Sequence, residues 1–518
     1  METVKTLLQS AKSFFANNVA AILVALCFVA ILWSTTFVSE LPFKSYGDVW
    51  AHLAFVEELK KPLEEVGDPY FNTGSRDPHN GIYPVAIAKI SQATGVSHIF
   101  LMQIFGIISF VAVYLTAIVA YRTFFPDRKN KHIDSIVLGI VMFLGWESYR
   151  LSYAGYFSLA DIAIGIMFPH LFALALFNLA ITAYYIVLKR QKEKKPIQKT
   201  IVIQLIVAFL SAAILLTHVI TGVILMYTFL VFTGYYFLFE YKLRPPFVFF
   251  LNAIIPLLAV ILCLFWPFYN FLDPFTKLQT IHTESPISSI FEMRDWFAVA
   301  AIMLVGVFSA LVAKNRLITI WFFSVLFVLA SYLYPVRISS YWRFFPVTLL
   351  SLSFLMTYWT SSLNRTMRTF ILFMMLLFGF SSFVNKVDTI GYRQAVTPVS
   401  FDFLKEVPSD KMILSDPETS YLFSGITGHA VLVVNKTHWN PANHVISEER
   451  YKDSLAFWRE NDETGSPYVI DKYNIEYVLI NKKIYRNFNE YAVMLGSKYK
   501  MKELYQDKSY LLLQIIQD

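Results

Sequence analysis

From residue 18 to residue 384 the chain alternates long apolar runs with short polar links. Windows at 18–38, 98–121, 133–147, 160–188, 200–217, 219–239, 247–268, 296–313, 317–334, 344–361 and 367–384 read as about eleven transmembrane helices. About twenty consecutive apolar residues are what a helix needs to cross a hydrocarbon layer of about 30 Å. The third window is short and Pro169 breaks the fourth, so one of the two reads as re-entrant or tilted. Beyond residue 384 the period changes. Met412–Ser415 and Ala430–Val434 read as strands flanking a short helix at 417–424, and Tyr477–Ile480 as another strand. Residues 499–506 and 509–516 read as a hairpin about Asp507-Lys508, with a helix inside 439–466. The chain thus divides into a membrane module, 1–384, and a C-terminal α/β domain, 385–518.

Composition agrees with a multi-pass membrane protein: 56% hydrophobic and 16% charged residues, with a mean hydropathy of +0.50, exclude an ordinary soluble chain of this length. The first span ends in Glu40-Leu41-Pro42 without a small-residue cleavage site, so it reads as a retained signal anchor. Basic residues gather in alternate links, from Lys5 and Lys12 through Arg122, Arg128, Lys129 and Lys131 to the run Lys189–Lys199. They continue at Lys242 and Arg244, Lys314 and Arg316, and Arg365 and Arg368. This pattern predicts a cytoplasmic N-terminus, outside loops at 39–97, 148–159, 269–295 and 335–343, and an extracytoplasmic C-terminal domain. Residues 385–518 hold 16 Lys+Arg against 18 Asp+Glu, so the whole basic excess lies in the membrane module. That is a topology signal and a contact with anionic headgroups, and it argues against nucleic acid as a partner. Cys27 and Cys263 both fall inside predicted spans and form no disulfide framework.

Candidate chemistry collects in the outside loops. Loop 39–97 opens with Gly47-Asp48-Val49-Trp50-Ala51-His52, which sets a carboxylate and a histidine four residues apart on one helical face. Asp48 reads either as the cap of a helix 49–60 or as a reactive group. The same loop carries Asp68, Asp77 and His79, and its length of about sixty residues favours a functional role. Glu147, Arg150 and Asp161 are charges near a membrane boundary that need partners or water, whereas Trp146, Tyr149, Tyr153 and Tyr156 suit interfacial anchoring. His170 and His218 read as packing hydrogen bonders or cavity residues. Loop 269–295 supplies His282 and Glu284. Arg337 and Arg343 flank Tyr341-Trp342 on the outside, where a guanidinium fork suits a lipid phosphate and a snorkelling anchor is the plainer use.

With a first span followed by a long outside loop opening at Gly47–His52, a broken third-to-fourth span region and an outside C-terminal domain, the chain resembles class C (GT-C fold) membrane glycosyltransferases, which use polyprenyl-phosphate sugar donors. The resemblance implies that Asp48 is the catalytic base or the group that orients the acceptor; as a base it would be served by His52 or His79 tuning or relaying the proton. It leaves Asp77, His79, Glu147, Arg150, Asp161, His218, His282, Glu284, Arg337 and Arg343 as substrate-binding candidates. The implied partners are a polyprenyl-phosphate-linked sugar, a glycan or lipid acceptor and membrane lipids. No cofactor is required; Asp48, Glu147 and Asp161 would suit a divalent cation, but no ligand spacing compels one. The Trp-Trp-Asp-Tyr-Gly signature of the oligosaccharyltransferase branch is missing, which argues against protein N-glycosylation. A lipid or glycan transporter or flippase is the alternative, but the sequence lacks the paired halves such carriers show.

Overall fold

The computed structural model describes residues 2–44, 48–71, 76–77, 79–147, 158–240, 246–272, 293–330, 344–391, 398–435, 439, 443–458, 467–485 and 488–516. The helices of the first three quarters are α1 (Glu2–Trp33, running into a π turn at Ser34–Val38), α2 (Leu41–Lys44), α3 (Val49–Glu58), α4 (Ile82–Thr94), α5 (His98–Phe124), α6 (Lys131–Phe143), α7 (Leu159–Ile164) and α8 (His170–Lys192). They continue as α9 (Ile197–Thr217), α10 (Val219–Tyr235), α11 (Pro246–Leu264), α12 (Met293–Ala313), α13 (Arg316–Ala330), α14 (Phe345–Ser362) and α15 (Arg365–Gly391). The remainder holds β1 (Ile413–Leu414), α16 (Pro417–Thr427), α17 (His444–Phe457), α18 (Tyr468–Tyr473), β2 (Tyr477–Asn481), α19 (Phe488–Lys498), β3 (Lys500–Gln506) and β4 (Tyr510–Ile516).

Two compact units result, and they do not follow a single cut in the chain. One comprises 1–45, 103–265 and 286–393; the other comprises 46–102, 266–285 and 394–518. Among the described residues six helices are long and apolar enough to cross a membrane: Asn18–Val38, His98–Phe124, His170–Lys192, Ile197–Thr217, Val219–Glu240 and Arg365–Ile390. Asn252–Leu264, Met303–Ala313 and Arg316–Val328 are shorter apolar stretches. The third sequence window yields only the thirteen residues of α6, and the fourth is broken as its proline requires, into α7 and α8 with Pro169 just before the second.

In the first unit aromatic rings fill the helix interfaces, with Phe28, Phe110 and Phe143 in mutual contact and Trp321 buried beside Phe177 and Phe232. Helix α15 touches this bundle along one edge only. Phe370, Phe373 and Phe378 are more than half exposed, while Phe383 and Lys386 are buried. Gly379, on the same edge, permits the approach: a Cβ there would lie 2.5 Å from the Leu144 carbonyl oxygen.

In the second unit a four-stranded sheet has the order β1-β2-β4-β3, with β1 parallel to β2 and the other pairs antiparallel. Leu479 faces Leu512 in the central pair, and the outer strand β3 is rimmed with Lys500, Lys502 and Glu503. The expected strand at 430–434 is reduced to one bridge, Ile413 with Val431, in which Ile413 N–H donates to the Ala430 carbonyl; Val431 N–H, on the edge away from β1, donates to the Tyr70 carbonyl of the first loop. Phe457, Trp458, Val469, Ile470 and Leu495 pack with the sheet residues Val478, Ile480 and Leu513 to form the core.

Helix α16 builds the bed for the first loop. Asp416 caps it, accepting from Glu418 and Thr419 N–H, Pro417 occupies its first turn, and Gly428 closes it at φ 71°. Gly425 lets α3 lie against it: a Cβ there would be 2.5 Å from the Trp50 carbonyl oxygen and 2.9 Å from Ala54 N.

Candidate functional site

Asp48 is exposed at the start of α3. Its carbonyl accepts the His52 N–H at 3.0 Å, but its carboxylate makes no hydrogen bond to the helix's first turn. Tyr421 on α16 serves the turn instead, its hydroxyl oxygen accepting the Ala51 N–H at 3.3 Å. Of the two uses open to Asp48 in the sequence, capping is thus not taken by its side chain. Burial first, and then the negative charge of Asp48, raise the pKa of Tyr421 and keep its phenol protonated.

Asp48, His52 and Phe55 follow the i, i+4, i+7 spacing of one helical face. His79 meets that face. Its ring stacks on Phe55 at 4.8 Å between centroids and 11°, and stands edge-on to His52 at 6.4 Å. Buried Asp77 fixes it: one carboxylate oxygen lies 2.6 Å from His79 Nδ1 and also accepts the His79 N–H at 2.8 Å. An ionised carboxylate can only accept, so Nδ1 carries the proton opposite it and Nε2 is the accepting nitrogen. The His79 side chain keeps 61% of its surface exposed. The arrangement is a carboxylate-oriented imidazole next to a second histidine, which suits proton transfer.

Asp68, in the same loop, is 1% exposed. Oδ1 accepts the Tyr70 and Phe71 N–H groups at 2.9 and 3.3 Å, and Oδ2 accepts from Asn443 Nδ2 at 2.7 Å. Burial, reinforced by the charge of Asp77, pushes its pKa up to about 7. The same loop is tied to 266–272 by Trp266 Nε1, which donates to the Asn80 carbonyl at 2.9 Å, and by Arg76, which donates to the Pro267 carbonyl.

The other unit brings together Glu147 and Asp161. Glu147 Oε2 accepts the Ala160 N–H at 3.1 Å, and Asp161 Oδ2 accepts the Ser158 hydroxyl at 2.6 Å. Asp161 Oδ1 pairs with Lys386 Nζ at 2.5 Å, both side chains nearly inaccessible. Hydropathy does not mark Lys386, which follows the last apolar window and so falls with the C-terminal domain in the sequence. The signal that could have found it is a lone lysine two residues beyond that run. Trp146, read as an interfacial anchor, is instead buried with Nε1 donating to Ser353 Oγ at 2.9 Å. His218 caps α10, its ring accepting the Thr221 N–H at 3.3 Å and lying 2.7 Å from the Thr221 hydroxyl. Arg150, His282, Glu284, Arg337 and Arg343 lie outside the described residues. Among the described residues no group of three or more His, Cys, Asp or Glu is arranged to hold a metal ion.

No known sequence family matches the chain, and no curated protein matches it by sequence. Solved structures do match its fold. ArnT from Cupriavidus metallidurans bound to undecaprenyl phosphate aligns over 94% of this chain and 97% of its own, at 10% identity and a TM-score of 0.55. The Archaeoglobus fulgidus oligosaccharyltransferase in complex with Zn and sulfate aligns over 91% of this chain and 69% of its own, at 11% identity and a TM-score of 0.54. The same archaeal enzyme, AglB, with an inhibitory peptide and a dolichol-phosphate covers 93% and 72%, at 11% identity and a TM-score of 0.51. The fold is that of the class C membrane glycosyltransferases, as the resemblance in the sequence implied.

Proposed function

We propose that the protein moves a sugar from a polyprenyl-phosphate donor to a cell-envelope glycan or lipid-linked acceptor on the extracytoplasmic face of the membrane. The observation that carries this reading is the fold match over nearly the whole of two chains, the other of which holds undecaprenyl phosphate. The exposed carboxylate of Asp48, which makes no cap hydrogen bond and lies one helical turn before the His52 that meets His79, supports it.

In this reading Asp48 is the general base that takes the acceptor hydroxyl proton as the sugar's anomeric carbon is attacked, and His52 relays that proton, aided by the His79 that Asp77 orients. Arg343 and Arg337 neutralise the phosphate leaving group, and His282 and Glu284 close over the acceptor. Glu147, Arg150, Asp161 and His218 belong to substrate binding. The reading needs no cofactor, and about eleven spans with a cytoplasmic N-terminus complete it.

The test is incubation of the purified protein in nanodiscs with a panel of polyprenyl-phosphate sugars and envelope extract, following loss of sugar from the lipid by mass spectrometry, with and without a chelator. Turnover of one donor supports the reading. Absence of turnover on every donor, with lipid or glycan flux in liposomes, would replace it with a transporter.

A further inference from the structure

Helix α17 carries a guanidinium with aromatic neighbours and no anion. Arg450 Cζ lies over the Phe71 ring at 5.3 Å from its centroid and over the Tyr473 ring at 5.6 Å. Rings attract the flat face of a guanidinium and leave its five N–H donors, which point outward in its plane, without acceptors. Among the described residues no oxygen accepts from Arg450. The side chain is half-buried: NH1 is enclosed without a hydrogen-bond partner, and Nε and NH2 form the open edge of the fork.

The carboxylates nearby are engaged elsewhere. Asp68 gives Oδ1 to the Tyr70 and Phe71 N–H groups and Oδ2 to Asn443. Asp453, one turn on from Arg450, gives Oδ1 to the Tyr468 hydroxyl, and Oδ2 to the Tyr473 hydroxyl and Lys472 Nζ. Glu449 Oε1 takes the same ammonium at 2.7 Å. Lys472 is thus the cation that Glu449 and Asp453 share, and Arg450 is left unmatched. A cation–π staple between the first loop and α17 accounts for the rings, but a lysine would supply it without a stranded NH1. A partly desolvated guanidinium with an open edge suits an oxyanion, which accepts two parallel N–H bonds against little competition from water. This edge neighbours the histidine face: Phe71 follows Tyr70, whose ring meets Phe55 at 6.3 Å, and Phe55 is stacked on His79.

We propose that Arg450 is an oxyanion subsite that takes a carboxylate or phosphoryl group of the acceptor on its Nε–NH2 edge and so sets the acceptor against the His52–His79 face. That the anion belongs to the acceptor rests on the transferase reading above; that Arg450 binds an oxyanion does not.

The test is thermal unfolding of the purified protein in sodium glucuronate and in inorganic phosphate, each against chloride at equal ionic strength. One of the two anions raises the unfolding midpoint of wild type saturably, and which one does so identifies the acceptor group as an acidic sugar or a phosphate. Arg450→Gln abolishes the rise. Arg450→Lys, which keeps a charge over the rings but not the fork, binds the same anion about tenfold more weakly. No rise in wild type with either anion, or an equal rise in Arg450→Gln, overturns the proposal. Should Arg450→Gln fail to fold, Arg450→Lys decides, and an affinity equal to that of wild type overturns it. In turnover assays Arg450→Lys raises the acceptor KM about tenfold and leaves kcat and the donor KM near wild type; an unchanged acceptor KM removes the acceptor role. Wild type without any turnover would refute the transferase reading and leave the anion result standing.

Discussion

Asp68 gives the second unit a pH dependence that can be separated from every other carboxyl. Its pKa is raised from 3.8 to about 7, so between those values the folded protein binds a proton that the unfolded chain does not. Stability from this group is therefore full below about pH 4 and is lost as pH rises through 7, at up to about 1.4 kcal/mol per pH unit. Asp68→Asn keeps the Oδ1 acceptor for Tyr70 and Phe71 and, with Asn443 turned over, keeps that contact as well. We expect thermal unfolding of wild type to weaken between pH 5 and pH 8 more than that of Asp68→Asn, so that the variant is the more stable at pH 8. Parallel pH profiles for the two would show that Asp68 is ionised throughout. At this scale the sequence placed Asp48, His52, Asp77 and His79 in one loop but could not reveal that Tyr421, some 370 residues away, serves the helix turn that Asp48 leaves. Long-range partners of that kind, like the pairing of Lys386 with Asp161, carry no local periodicity.

Elements meet closely where glycine allows it. The contact of α3 with α16 depends on Gly425, whose missing Cβ leaves room for the Trp50 carbonyl and Ala54 N. Gly425→Ala should cost about 1–3 kcal/mol and open the first loop to protease. Gly234→Ala, with nothing within 4 Å of the new methyl, should be neutral or mildly stabilising. Equal protease sensitivity in the two variants would refute the close-packing account. Element types were largely legible: α16, α17, β2 and the β3–β4 hairpin all appear where the apolar period and turn residues put them. The strand at 430–434 was not: it keeps one bridge to β1, and Val431 N–H on its other edge meets the Tyr70 carbonyl, a partner supplied by the other end of the chain.

For the whole molecule, hydropathy and basic-residue asymmetry led to a membrane protein with an α/β C-terminal region. They could not show that loop 46–102, the segment 266–285 and the C-terminal residues 394–518 form one compact unit, since that is a matter of tertiary packing. The proposed orientation makes a direct prediction: a cysteine placed at 189 should be labelled only from the cytoplasmic side and one at 440 only from outside. The opposite pattern would invert the topology and with it the outside location of Asp48.

The central claim, sugar transfer with Asp48 as base, is tested most directly by comparing wild type with Asp48→Asn on the donor identified from the panel. The amide fills the same volume, and since no first-turn hydrogen bond depends on the carboxylate, the fold should be unaffected. The account predicts that the variant runs as a monodisperse protein with wild-type thermal stability, binds donor with similar affinity, and loses turnover by about a hundredfold or more. Turnover within a few fold of wild type would contradict it and remove Asp48 from the base role.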